Sequence, residues 1–177
     1  MLLDERSINR RVLVVDDNAG IHEDFRRILC SAAAPSLDAL EGSLLDRRPS
    51  PRLAVEFHVE GAMQGEAGWR RVKETREKGE PFALAFVDMR MPPGWDGIET
   101  IERMWADDPD IQIAICTAYS DYSWNEALDR LGRFDQVLIL KKPFDPIEAR
   151  QIACSLTHKW SLAALARTVA PELDATL

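Results

Sequence analysis

Apolar residues along this chain fall into two alternating rhythms. Short runs of strand length are Arg11-Val12-Leu13-Val14-Val15, Ala83-Leu84-Ala85-Phe86-Val87, Ile111 to Cys116 and Gln136 to Leu140. Leu53 to Val59 alternates like a strand nearer a sheet edge. Between these runs apolar positions recur at helical spacing: Ile21, Phe25, Ile28 and Leu29; a segment from Trp69 to about Lys78; Ile98, Ile101, Met104 and Trp105; a segment around Ser123–Leu131 closed by Gly132; and a long one from Pro146 past Trp160. Five strands alternating with five helices predict an α/β fold, a doubly wound parallel sheet with helices on both faces and right-handed crossovers. The run ending at Val87 is apolar without alternation, as expected of a central strand covered on both sides.

Two stretches interrupt the rhythm. Residues 32–51 carry Pro35, Gly42, Pro49, Pro51 and several serines. They are long for a connection inside an α/β unit, where about 2–6 residues is usual, and are expected to form a surface insertion remote from the strand ends. Gly61, Gly65 and Gly68 are expected to make the turn and helix start after the second strand, because the first two are four apart and a dinucleotide-binding turn needs two. Beyond Trp160, Leu162, Leu165, Ala166 and Val169 make a separate apolar stripe on a helix expected to run to Pro171. The organisation expected is one domain over residues 9–160 followed by a helical tail or linker over 161–177.

Composition narrows the class. Hydrophobic content of 46% with 29% charged residues fits a globular domain with a real core, and a net charge of −8 argues against nucleic acid or an anionic membrane as partner. No run of about 18 apolar residues suggests a span, and Met1 to Arg6 lacks the pattern of a signal peptide. Cys30, Cys116 and Cys154 show no metal-type spacing and read as reduced thiols of a cytoplasmic protein.

Chemistry collects where strands end. The first strand ends in Asp16-Asp17, the third in Asp88, the fourth in Thr117-Ala118 and the fifth in Lys141-Lys142-Pro143. In an open parallel sheet all these groups share the carboxyl edge, where ligands bind. Three carboxylates brought together repel unless a cation compensates them. A hard divalent ion takes such oxygens together with water and a phosphoryl oxygen, which makes phosphoryl transfer to a strand-end Asp the natural chemistry, with Asp88 as nucleophile. His22, His58 and His158 sit in contexts that read as solvated, and Trp69, Trp95, Trp105, Trp124 and Trp160 read as packing groups.

Asp16-Asp17, Asp88 followed by Met91-Pro92 and Asp96-Gly97, Thr117-Ala118, and Lys142-Pro143-Phe144 together resemble the receiver domain of two-component response regulators over about Arg11 to Trp160. Ile21-His22-Glu23-Asp24-Phe25 and Met91 to Gly97 look like the subgroup at the N-terminus of larger sensor-kinase or signalling proteins. The resemblance implies a flavodoxin-like sheet of order 2-1-3-4-5 and a phosphorylation-dependent module, not an enzyme in the ordinary sense. It also implies that Asp88 accepts a phosphoryl group from a sensor histidine kinase, with Mg²⁺ or Mn²⁺ held by Asp17, Asp88 and the Arg90 carbonyl and, largely through water, by Asp16. Thr117, Lys142 and the backbone amides of Met89 and Ala118 would bind the phosphoryl oxygens, and the Lys142–Pro143 peptide would be cis. The expected output is a downstream signalling module or a homodimer through the C-terminal helix. Gly94 lengthens the loop after Asp88, Ile139 stands where the family often has an aromatic ring, and the 32–51 insertion is not standard. Three alternatives stay open: a Mg²⁺-dependent phosphatase of the haloacid-dehalogenase type, which wants a second Asp where Arg90 stands; a metal-dependent hydrolase, which leaves Thr117 and Lys142 unexplained; and a phosphorylation-incompetent receiver acting as a binding module.

Overall fold

The computed structural model describes residues 7–30, 55–118 and 129–174. In chain order the elements are β1 (Arg11–Val15), α1 (Ala19–Leu29), β2 (His58–Ala62), α2 (Gly65–Glu77), β3 (Leu84–Asp88), α3 (Gly97–Asp107), β4 (Gln112–Ala118), a 3-10 turn (Phe134–Gln136), β5 (Val137–Lys142) and α4 (Pro146–Asp174). All neighbouring strands are parallel and the sheet order is β2-β1-β3-β4-β5. The predicted architecture and strand order are therefore observed. Residues 129–131 are helical, whereas the rest of the helix expected around Ser123–Leu131, Trp124 and the 32–51 insertion lie outside the described residues.

The unbroken apolar runs follow from a sheet covered on both faces. In β1, Val12 and Val14 face one core layer while Leu13 and Val15 face the other. In β3, Leu84 and Phe86 join the first layer, and Ala85 and Val87 the second. Phe25 and Leu29 of α1 and Ala149, Ala153 and Leu156 of α4 complete the first layer, where the Phe25 ring lies 4.4 Å from Phe86 and 5.0 Å from Phe144. Val72 of α2 and Ile98, Ile101 and Met104 of α3 complete the second. At about 1.5–3 kcal/mol for each large side chain removed from water, these two layers supply the main force holding strand ends in register.

Two expectations need correction. The second strand is His58–Ala62; of the expected segment Leu53–Val59, residues 55–57 precede it and residues 53–54 lie outside the described residues. Its hydrogen bonding to β1 begins only at the Arg11–His58 pair, while Phe57 is a buried residue of the approach. Of the three glycines, Gly65 opens the helix as expected and Gly68 lies in its first turn, whereas Gly61 is not in a turn. Gly61 lies within β2, and Gly65 and Gly68 within α2. A Cβ on Gly65 would overlap the Thr100 hydroxyl, and one on Gly68 would come within 2.7 Å of a Val15 methyl. Here glycine permits close approach of α2 to α3 and β1, so the helix starts at Gly65 and not near Trp69.

The last helix runs without interruption past Trp160 and through Pro171 to Asp174. Ser161 is buried and its hydroxyl accepts from the Asn9 backbone N–H at 3.0 Å, while Arg167 reaches Asp110 at 3.0 Å. Leu162 (46% exposed) and Val169 (37%) remain open to solvent.

Candidate functional site

The sheet delivers Asp16 and Asp17 just past β1, Asp88 at the end of β3, Thr117 and Ala118 at the end of β4 and Lys142 at the end of β5. Register places them together: Asp88 lies opposite Cys116, and Thr117 and Ala118 opposite Lys141 and Lys142. Asp16, Asp17 and Asp88 each offer a carboxylate oxygen, and these oxygens all lie within 4.8 Å of one another. Asp16 and Asp88 are buried and Asp17 is exposed.

Lys142 Nζ donates to Asp16 Oδ2 at 2.6 Å and to Asp88 Oδ1 at 2.8 Å. Burial disfavours its charged form, but the hydrogen bonds to Asp16 and Asp88 outweigh that cost, and its pKa lies above the ordinary lysine value. The Lys142–Pro143 peptide is cis, as the resemblance implied, and Phe144 anchors the segment by packing on Phe25. Lys141, next in the chain, is exposed.

Asp16 is held at both carboxylate oxygens, since Oδ1 accepts the Asn18 backbone N–H at 2.9 Å. Asn18 in turn caps α1 by accepting from Gly20 N–H at 2.9 Å. Asp17 has no side-chain hydrogen bond or ion pair among the described residues. Thr117 is buried and its hydroxyl donates to the Ala118 carbonyl at 3.0 Å. The Met89 N–H donates to the Cys116 carbonyl at 3.3 Å, at the long end of the range for such bonds. Burial pushes the neighbouring Cys116 thiol well up, so it stays protonated and unreactive.

The Asp96-Gly97 pair has a physical reason. Asp96 caps α3 by accepting the Glu99 N–H at 2.8 Å. Gly97 lets that helix start against the end of β3, where a Cβ would stand 2.6 Å from the Asp88 carbonyl oxygen. The lengthened loop between them is folded against its surroundings. Gly94 N–H donates to the Met91 carbonyl at 3.1 Å, Gln64 Nε2 to the Pro92 carbonyl at 3.3 Å, and Trp95 lies under the Arg103 guanidinium at 4.2 Å. The Pro92–Pro93 peptide in this loop is also cis.

One residue near the site was misread from sequence. His22 is not a solvated helical histidine. It is buried, and its Nε2 lies 2.8 Å from the Asp16 carbonyl. The signal was present in its spacing, since His22, Phe25 and Leu29 form the buried face of α1.

Fit to a divalent cation can be judged from these groups alone. Three carboxylates against one ammonium leave the pocket with two negative charges in excess, and all the donors are hard oxygens. Asp17, together with the Asp88 oxygen that Lys142 does not hold, faces no competing cation among the described residues. The residues fit Mg²⁺.

Fold and site together define a flavodoxin-like α/β domain with an acid–lysine pocket over its carboxyl edge. Residues 53–153 match the model of the response regulator receiver domain, and the chain belongs to that family. The match takes in β2 through the first part of α4, and β1 with its two acids pairs directly with β2 and β3 in the same sheet. Over 67 residues the chain is 37% identical to the sporulation initiation phosphotransferase F of Bacillus subtilis (strain 168), covering 38% of this chain and 51% of that protein. Over 88 residues it is 32% identical to the response regulator receiver protein CpdR of Brucella abortus (strain 2308), covering 50% and 66%. It thus spans about half to two thirds of the length of these relatives. Among solved structures, an adenylate cyclase from Rhodopirellula baltica superposes with a TM-score of 0.66 at 21% identity, covering 92% of this chain and 98% of that one. A CheY-like response regulator receiver domain protein from Methanospirillum hungatei JF-1 does so with 0.61 at 19%, covering 87% and 98%. At such identities the likeness establishes the fold. The family is one of signalling modules, and no described helix is long and apolar enough to cross a membrane.

Proposed function

We propose that this chain is a phosphoacceptor whose Asp88 takes a phosphoryl group from the phosphohistidine of a sensor kinase. The observation that carries the reading is the pair of short bonds from Lys142 to Asp16 and Asp88 beside the exposed, uncommitted Asp17. An Asp88 carboxylate oxygen attacks phosphorus as the N–P bond breaks. The electron pair of that bond stays on the imidazole nitrogen, which takes a proton from solvent. Lys142, the Thr117 hydroxyl and the amides of Ala118 and Met89 would receive the phosphoryl oxygens; the long Met89–Cys116 bond favours that exchange. Mg²⁺ or Mn²⁺, held by Asp17, Asp88 and the Arg90 carbonyl and by Asp16 through water, would neutralise phosphoryl charge during transfer. That Asp16 has both oxygens engaged supports its indirect part.

Phosphorylation would consume one oxygen of the Lys142–Asp88 pair and draw the ammonium onto the phosphoryl group, changing the surface around β4 and β5. Position 139 holds an isoleucine, so ring rotation there cannot be the switch. The output would be a downstream module or a second copy, met through the C-terminal segment over 161–177, which we assign as a tail or linker following a domain over 9–160. A cytoplasmic location accords with a phosphohistidine donor.

Incubation of the full chain with Mg²⁺ and acetyl phosphate should add one phosphoryl group by intact-mass spectrometry, and Asp88→Asn should add none. Undiminished labelling of Asp88→Asn contradicts the assignment, and turnover of many unrelated phosphoesters would favour the phosphatase alternative.

A further inference from the structure

His22 and Gly61, from two different elements, meet beside the acid pair. The imidazole Nε2 faces the Asp16 carbonyl oxygen at 2.8 Å, and against a carbonyl that nitrogen must carry the proton and donate. The ring rests over Gly61 of β2. A Cβ at that position would overlap Nδ1 and stand 2.9 Å from Cε1. Only glycine leaves room for the ring, which accounts for a glycine in the middle of a strand that otherwise loses by having one.

The carbonyl that His22 holds belongs to the peptide joining Asp16 to Asp17. On its other side Asp16 is fixed by its N–H, which donates to the Ala62 carbonyl at 3.1 Å. A peptide group is planar, so fixing its oxygen fixes the plane from which the Asp17 N–Cα bond leaves. Asp17 has no side-chain bond of its own among the described residues to set its direction. Its direction therefore comes through the backbone.

We infer that His22 is a positioning residue of the cation site: through the Asp16–Asp17 peptide carbonyl it aims the Asp17 carboxylate, and Gly61 is the space its ring requires. The inference rests on reading the acid pocket as a Mg²⁺ site.

Calorimetric titration of the chain over residues 1–177 with Mg²⁺ alone tests it, with unfolding temperature recorded for each variant. His22→Phe keeps a ring and loses the donor. It should weaken Mg²⁺ binding by about ten- to hundredfold, the range usual when a group behind a metal ligand is removed. Gly61→Ala, which displaces the ring without touching its chemistry, should weaken binding in the same direction. His22→Gln, whose amide nitrogen reaches the place of Nε2, should restore binding to within about threefold of wild type, whereas the shorter His22→Asn should not. The Gln and Asn pair decides the matter if His22→Phe does not fold. Wild-type affinity in His22→Phe or His22→Asn, with only the unfolding temperature lowered, overturns the inference alone. A wild-type chain that binds no Mg²⁺ overturns the reading of the pocket and this inference with it.

Discussion

Asp108 shows how a buried carboxylate fares at the opposite edge of the sheet from the acid pocket. It is fully buried at the end of α3, where Oδ1 accepts from the Arg76 guanidinium and from Asp110 N–H at 3.2 Å, while Oδ2 has no hydrogen-bond partner among the described residues. Burial raises its pKa, and Arg76 only partly offsets this. The folded chain thus holds that proton more tightly than the unfolded chain does. Stability is lost as pH rises from the ordinary Asp value near 4 through the raised one, and the loss persists above it. Asp108→Asn removes the term. In urea titrations from about pH 4 to neutrality, the variant should gain stability relative to wild type as pH rises; a difference that stays constant with pH contradicts this. At the same scale, the acid pocket was legible from strand-end residues alone, because Asp, Asp, Thr and Lys are costly at such places unless they serve one another. His22 was not, because a histidine between Ile21 and Glu23 suggests a solvated face until its spacing of three residues to Phe25 and seven to Leu29 is given weight.

Among the elements, α3 depends most visibly on its cap, Asp96, and its first residue, Gly97. Asp96→Ala removes the cap on Glu99 N–H and should cost about 1 kcal/mol, read as a shift in urea midpoint. Gly97→Ala forces a methyl within 2.6 Å of the Asp88 carbonyl oxygen and 2.9 Å of Met89 Cα. Its cost should be about 1–3 kcal/mol, with slower labelling of Asp88 besides, because the obstacle is the backbone at the end of β3 that carries Asp88. Equal labelling rates in Gly97→Ala and wild type would show that the end of β3 tolerates displacement. Strand and helix identities were legible because both faces of the sheet are covered and apolar runs mark it directly. The placement of β2 and the start of α2 were not, because Gly61, Gly65 and Gly68 carry the same letters whether they make a turn or admit a neighbour. Only the positions of His22, Thr100 and Val15 tell the two apart.

At the scale of the whole molecule, β5 has six residues while α4 has twenty-nine, so about half of the helix extends past what the sheet needs to cover it. Its far part is tied to the body by Ser161–Asn9 and Arg167–Asp110, yet Leu162 and Val169 stay exposed. Burial of that stripe against a second copy should make the full chain larger by light scattering than a chain ending at Trp160, with the difference growing on addition of beryllofluoride. Monomers in all four samples remove the dimer from the proposed outputs. The central claim is that the pocket exists to carry a phosphoryl group on one particular carboxylate. Labelling with acetyl phosphate and Mg²⁺, reduction with borohydride and peptide mapping test it most directly, since an aspartyl phosphate is reduced to homoserine where it stood. Homoserine at position 88 alone is the expected result. Homoserine at position 16 or 17, or none in a chain that has taken up a phosphoryl group, would contradict the account.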